Sequence, residues 1–345
     1  MNVVEAIQQR AQETSTTGLV VWHNGRRICG FGEEKRVPLY SLTKSIVSLA
    51  VGFLFDEGKI QSLDTPVSQW FTDWQNGPKA CVTLRMLLTH TSGIADHFIE
   101  MDGQFNQQKF AQFKDVQGVI DAALKLDVIK EPGTHASYSN SSADILVALV
   151  NTLSTMRIDR YVSQKLFGPL AITDWQWVSS TKQLFGVDDD VPSGADGLVL
   201  AAEDLLKIGK MILHEGVYEG KRVLSAKWIA MMTGDVPKPA LTLQLGTASL
   251  TNNADPLHPE KYLPATDMGH EIPLERYSSA LFWLTPEKSR DASLGWGFLG
   301  QYLIVVPAKN IVAVRLYNEG LPNLAAVEDN TRVSFADFEY WVRKL

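Results

Sequence analysis

The strand-forming signals of this chain lie at its two ends, and a long helical stretch separates them. Near the N-terminus, Leu19-Val20-Val21-Trp22, the pair Asn24-Gly25 and the residues from Arg26 to Phe31 read as a β-hairpin. Asn-Gly between apolar runs is the strongest short hairpin signal, because both turn residues tolerate positive φ. Near the C-terminus, 280–284, 301–306 and 311–317 read as strands. From Asp64 to about Val191 strand signals are few, and helical patterns at 84–89, 116–126, 144–153 and 158–167 alternate with loops. A sheet formed from both chain ends, with helices packed on it, is the economical arrangement. The expected division is residues 1–63 and 194–345 in a sheet domain and 64–193 in a mainly helical one, with the functional site at their interface. Helices are also expected at 3–13, 202–215, 225–232 and 337–345.

Composition narrows the function classes. A chain of 345 residues that is 45% hydrophobic can bury a large core. Its net charge of −7, with no Lys/Arg-rich run, makes no electrostatic case for nucleic acid or an anionic membrane. No segment approaches a membrane-spanning length. Residues 1–17 are polar and amphipathic, without the apolar core of a signal peptide, so a cytoplasmic location is expected. Cys29 and Cys81 stand in apolar surroundings and are expected to be buried and reduced. His and Cys never cluster at metal-ligand spacing, so no metal is expected.

Chemistry enters at Tyr40-Ser41-Leu42-Thr43-Lys44-Ser45, which leads into an apolar run from Ile46 to Phe55. A lysine three residues after a serine on a helix lies on the same face. A helix N-terminus favours negative charge developing on the serine oxygen. Ser41 and Lys44 are thus a candidate nucleophile and base, although an ordinary N-cap serine would look the same. Ser179-Ser180-Thr181-Lys182 repeats the spacing but leads into a polar stretch, and Ser179 reads as a surface loop.

Two further segments fit around this pair. Tyr138-Ser139-Asn140 immediately precedes a helical pattern, which places Tyr138 on a loop that caps a helix. A lysine ammonium beside a phenol eases proton exchange with a serine, and Asn140 can both donate and accept. A buried tyrosine with a satisfied hydroxyl and an N-cap asparagine is the plainer alternative. Gly295-Trp296-Gly297-Phe298-Leu299-Gly300-Gln301 reads as a glycine-rich turn before a strand, where a substrate can approach the backbone and a backbone N–H can serve an oxyanion.

Together these residues resemble the serine beta-lactamase and penicillin-recognising enzyme superfamily. Within it they resemble the class C beta-lactamase-like branch, which also holds family VIII esterases, D-aminopeptidases and 6-aminohexanoate-dimer hydrolases. Further segments carry the resemblance in order: Thr83-Leu84-Arg85-Met86-Leu87-Leu88-Thr89-His90-Thr91-Ser92-Gly93, Pro132-Gly133-Thr134, Leu166-Phe167-Gly168-Pro169-Leu170, and Gly197-Leu198-Val199 leading to Ala202-Glu203-Asp204-Leu205. The resemblance implies an α+β, beta-lactamase-like (DD-peptidase) fold: an antiparallel sheet from both chain ends, flanked by helices, plus a mainly helical insertion. It implies a cofactor-free serine hydrolase working through an acyl-enzyme. Ser41 would be acylated, Lys44 would accept its proton, Tyr138 would act as general base and acid, and Asn140 would orient. The backbone N–H groups of Ser41 and Phe298 would form the oxyanion hole, and Gly295, Trp296 and Gly297 would bind substrate, with the Trp296 side chain either lining the site or packing behind it. His90 reads as structural, and His97 and His135 receive no role.

The third segment departs from the family. Beta-lactamases carry K-T-G there and many relatives H-x-G, whereas this chain has Gly295-Trp296-Gly297 and no cation to pair with a beta-lactam carboxylate. A charge-assisted hydrogen bond of that kind contributes about 1.5–3 kcal/mol. Small carboxylic esters are therefore the expected substrates, then amides or short peptides, with beta-lactams last. A non-catalytic sensor on the same fold is the rival from another class. The stretch 234–273 is long enough for a lid or pocket wall. The sequence leaves the oligomeric state open.

Overall fold

The computed structural model describes residues 2–96, 118–135, 137–178, 191–234, 277–286, 291–318 and 338–345. In chain order the described elements are α1 (Val3–Glu13), β1 (Gly18–His23), β2 (Arg26–Phe31), β3 (Arg36–Pro38), α2 (Thr43–Asp56), α3 (Leu84–Leu88), α4 (Val119–Lys125), α5 (Asn140–Ser154) and α6 (Ile158–Val162). They continue with β4 (Gln176–Trp177), β5 (Leu198–Ala201), α7 (Ala202–Leu213), β6 (Val217–Tyr218), β7 (Lys221–Arg222), α8 (Ala226–Thr233), β8 (Tyr277–Ala280), β9 (Trp283–Pro286), β10 (Ser293–Gly297), β11 (Gln301–Val306), β12 (Ile311–Leu316) and α9 (Phe338–Lys344).

Both chain ends meet in one antiparallel sheet, ordered β2-β1-β12-β11-β10-β9-β8. The Asn24-Gly25 turn joins β1 to β2, and β1 pairs with β12 in the register Val20↔Val314. Each face of the sheet is covered, which is why every residue of β11 and β12 is buried and both strands are mostly apolar rather than alternating, with Gln301 and Arg315 the polar exceptions. On one face, Val20, Leu303, Val305, Val312 and Val314 join α2, α5 and α7 in a single large core. On the other, Leu19, Val21, Leu294, Trp296 and Ile304 pack with Ile7 and Ala11 of α1 and Phe338 and Val342 of α9.

Helix α2 is buried from Thr43 to Leu54, as a helix apolar on every side must be. Each fully buried Leu, Ile, Val or Phe contributes about 1.5–3 kcal/mol, so α2 is firmly seated beside the sheet. It ends at Asp56 with Glu57 as its C-cap, before Gly58, whose φ of 72° suits glycine.

Several sequence expectations are corrected. The run 280–284 is not one strand but the tip of the β8–β9 hairpin, with Leu281 and Phe282 at φ of 50° and 66°. Its apolar side chains hide a turn that normally demands Asn or Gly. Gly295 to Gly297 lie inside strand β10, and the turn begins only at Phe298. The segment 158–167 is a short α-helix followed by a π-helical turn at Ser163–Phe167. Cys29 is buried and Cys81 is exposed, because the 3-10 turn Pro78–Cys81 carries it outward. The small sheet β3-β5-β4 gave no periodic signal. The stretch 234–273, expected as a lid or pocket wall, lies outside the described residues except for Gly234, as do Ser179 and His97. Among the described residues, no helix is long and apolar enough to cross a membrane.

Candidate active site

Ser41 sits in a 3-10 turn, Tyr40–Leu42, just ahead of α2. The small sheet holds this turn in place: Leu39 N donates to Leu198 O at 2.8 Å, and Leu198 N donates to Thr43 Oγ1 at 3.3 Å. Tyr40 takes a φ of 48°, a left-handed conformation that non-glycine residues adopt at local cost. Burial, and behind it the neighbouring Asp196 carboxylate and Tyr317 phenol, push the Tyr40 phenol up to about 12. Its ring meets Phe298 edge to face, with centroids 5.5 Å apart, so the Ser41 turn and the end of β10 lie side by side.

The three side chains singled out in the sequence converge. Lys44 Nζ donates to Ser41 Oγ at 3.2 Å, as the three-residue helical spacing requires. Tyr138 Oη donates to the same oxygen at 2.6 Å. Lys44 Nζ lies 4.8 Å from the centroid of the Tyr138 ring. Lys44 is only 3% exposed, and its second bond is to the Ala195 carbonyl at 2.7 Å. The serine oxygen is thus held between two proton-carrying groups, the arrangement that proton transfer to and from a nucleophile needs.

Asn140 opens α5 and is held by Asp96 rather than by Lys44. Its backbone N–H reaches Asp96 Oδ2 at 2.5 Å, its side-chain amide reaches Oδ1 at 3.5 Å, and Ser141 N adds a bond to Oδ2 at 3.2 Å. Asp96 thereby caps the first turn of α5 from another segment of the chain, and Ser139 Oγ caps Ser142 N.

His90 has a closer relation to the site than its sequence context implied. Its ring stacks on Tyr138 at a centroid distance of 5.0 Å and an angle of 29°. Its Nδ1 accepts from Ser139 N at 3.1 Å, and its carbonyl accepts from Ser137 N at 2.9 Å. The residues on both sides of Tyr138 are therefore fastened to one histidine. Burial, reinforced by the nearby Lys44 charge, lowers the His90 imidazole to about 3, so it is neutral near pH 7. Behind it stands Phe282, ring centroids 4.8 Å apart, at the tip of the β8–β9 hairpin. That left-handed tip is held by Phe282 N donating to Leu88 O and Ser45 Oγ donating to Phe282 O, both at 3.0 Å.

Strand β10 contributes backbone. A Cβ on Gly297 would collide with the Leu39 carbonyl, so only glycine lets the strand end lie against the Ser41 turn. Gly295 faces Ser45 and Leu42 on the same side. Trp296 points the other way, into the core formed with α1 and α9, and is 8% exposed. Alternation along the strand puts it on the far face, which corrects the expectation that its side chain meets substrate. The turn after β10 is held from behind by Arg315, fully buried, which donates to Leu299 O at 2.6 Å, Gly300 O at 2.9 Å, Thr14 O at 3.1 Å and Thr16 Oγ1 at 3.0 Å. His135 is exposed and bonded to Thr134. Among the described residues, no cluster of three or more His, Cys, Asp or Glu is placed to hold a metal.

Residues 3–338 match the model of the family described as Beta-lactamase. The 6-aminohexanoate-dimer hydrolase of Paenarthrobacter ureafaciens is 23% identical over 248 residues, 68% of this chain and 62% of that protein. Esterase EstB of Burkholderia gladioli is 28% identical over 169 residues, 45% of this chain and 42% of the esterase. The chain thus spans less than two thirds of the length of these curated relatives; for an uncharacterized protein of Mycobacterium tuberculosis the share is 58%. Among solved structures, unliganded simvastatin synthase from Aspergillus terreus superposes with a TM-score of 0.71 at 16% identity, over 99% of each chain.

Proposed function

The chain belongs to the beta-lactamase family, and from that premise we propose that it is a serine hydrolase that forms an acyl-enzyme on Ser41, with small neutral carboxylic esters as substrates. The observation that carries the reading is the triangle at Ser41 Oγ, which takes hydrogen bonds from Lys44 Nζ at 3.2 Å and Tyr138 Oη at 2.6 Å.

Tyr138 acts as the base in this reading, and the adjacent Lys44 ammonium favours the phenolate through which it would take a proton. Ser41 Oγ bonds to the ester carbonyl carbon while its proton passes to Tyr138. The carbonyl electron pair moves to oxygen, where the N–H groups of Ser41 and Phe298 receive it. Collapse breaks the bond to the leaving oxygen, which takes the proton from Tyr138 and departs as the alcohol. Water then adds to the acyl carbon and gives a proton to Tyr138. Collapse returns that proton to Ser41 Oγ and releases the carboxylic acid. Asn140, tied to Asp96, frames the side of the site next to Tyr138.

The preference for esters rests on strand β10, whose residues Ser293–Gly297 include no cation. Gly295 and Gly297 face the Ser41 side of β10, and neither carries charge for a substrate carboxylate. A neutral ester asks for no such partner. The relative named an esterase supports this reading, and the relative named 6-aminohexanoate-dimer hydrolase supports an amide as the second substrate class.

The test is intact-mass spectrometry of wild type and Ser41→Ala after a fluorophosphonate probe, with p-nitrophenyl butyrate and nitrocefin turnover measured in parallel. The expected result is one adduct, absent from Ser41→Ala, and ester turnover well above nitrocefin turnover. No adduct and no turnover would make Ser41 a structural serine.

A further inference from the structure

Helix α5 is apolar from Ala143 to Val150 except at one position. Asp144 lies four residues after Asn140, on the same face, and is completely buried. A carboxylate in such a place carries a desolvation cost unless hydrogen bonds answer it. Asp144 Oδ1 accepts from Gly194 N at 2.7 Å and from Ser193 Oγ at 2.9 Å. Ser193 Oγ in turn accepts from Ala195 N at 3.1 Å. The carbonyl of that same Ala195 is the 2.7 Å acceptor of Lys44 Nζ.

We infer that Asp144 is a positioning residue for the hydrolase reaction: it pins residues 193–195 to α5, and so fixes the carbonyl that aims the Lys44 ammonium at Ser41. The inference rests on the serine hydrolase reading given above. Three features support it. A Cβ on Gly194 would strike the Ala143 carbonyl, so glycine lets this segment lie directly on α5. Trp177 Nε1 donates to the Ser193 carbonyl at 2.9 Å and holds the segment from its other side. The Ala195 bond to Lys44 is shorter than the 3.2 Å bond from Lys44 to Ser41, so the carbonyl governs where the ammonium points. A carbonyl also orients an ammonium without neutralising it, which leaves the full charge facing Ser41 and Tyr138. The charged groups that act on Asp144 are Lys44 from α2 and Asp196, which directly follows the segment 193–195; with burial as the largest cause, its carboxyl rises to about 7.

The experiment compares Asp144→Ala, Asp144→Asn and Ser193→Ala in the full chain, with p-nitrophenyl butyrate turnover expressed per site titrated by the fluorophosphonate probe. Misplacing a catalytic group by about 1 Å costs about 100-fold. Asp144→Ala is therefore expected to lower kcat about 10- to 100-fold and to leave KM within about twofold. Asp144→Asn keeps an oxygen for Ser193 and Gly194 and is expected to recover most of that loss. Wild-type kcat per titrated site in Asp144→Ala would overturn the inference, whatever its melting temperature, and so would an Asp144→Asn variant as impaired as Asp144→Ala. If Asp144→Ala does not fold, Ser193→Ala cuts the same chain of bonds: reduced kcat at unchanged KM supports the inference, and wild-type kcat overturns it. Absence of the Ser41 adduct in wild type is a different failure, that of the hydrolase reading itself.

Discussion

The two faces of the central sheet do different work with the same strands. The face toward α2 carries buried polar groups close to the proposed chemistry: Lys44, Ser45, His90 and Asp144. The face toward α1 and α9 is almost wholly apolar, with Arg315 at its rim. Strand β10 shows the contrast within three residues. Gly295 and Gly297 leave room on the first face for α2 and the Ser41 turn, while Trp296 fills the second. A site that must hold ionisable groups in fixed directions is thus backed by a layer whose only task is to be dense.

That division makes separable demands on mutants. The largest expected effect is on the first face. Tyr138→Phe removes the proposed proton carrier and should lower ester kcat by about 10²–10⁴-fold with little change in melting temperature. Equal losses of activity and stability would mean that the two faces are not distinct in function. On the second face, Trp296→Ala should cost about 3–5 kcal/mol in urea unfolding. Relative rates toward short- and long-chain p-nitrophenyl esters should stay as in wild type per titrated site. Altered chain-length selectivity at unchanged stability would return Trp296 to the substrate.

The smallest effect is a pH signature confined to the first face. His90 titrates at about 3 in the fold against 6.5 when free, so the unfolded chain gains a proton that the fold refuses, and stability falls as pH drops from 6.5 toward 3. Asp144 titrates at about 7 against 3.8, so its contribution is full below 3.8 and is lost as pH rises through 7. Between pH 3.8 and 6.5 the two slopes oppose each other. His90→Phe removes one of them. Relative to wild type, its unfolding free energy should fall with rising pH across that window, by up to about 1.4 kcal/mol per pH unit. Parallel profiles for the two proteins would show that His90 does not resist protonation in the fold.

The same contrast explains what could be read from the sequence. The β1–β2 hairpin, β11, β12 and α2 were legible because Asn24-Gly25 and long apolar runs are local signals. Ser41, Lys44 and Tyr138 were legible through spacing and family resemblance. The facing of Trp296 was not, because it depends on where β10 starts, and the segment 295–301 looked like a turn. The Leu281-Phe282 tip was hidden because its left-handed backbone is held by Leu88 and Ser45 from elsewhere in the chain. The Ala195 carbonyl has no side-chain signature at all. Asp144 did leave a trace, as the one charged residue in an apolar helix one turn beyond Asn140.

The pairing of β1 with β12 has a consequence for how the molecule is made. Thr16 and Arg315, which bond at the sheet end, are 299 residues apart. On a ribosome the seat of Ser41 emerges before α3 to α8, but its neighbouring strands β10 to β12 emerge only after them. Until then the hairpin presents an open edge that invites other chains, and contacts this distant in sequence form slowly. The edge of β1 thus stays open until β12 has been made, and intermediates with an unpaired strand edge are the ones prone to aggregate.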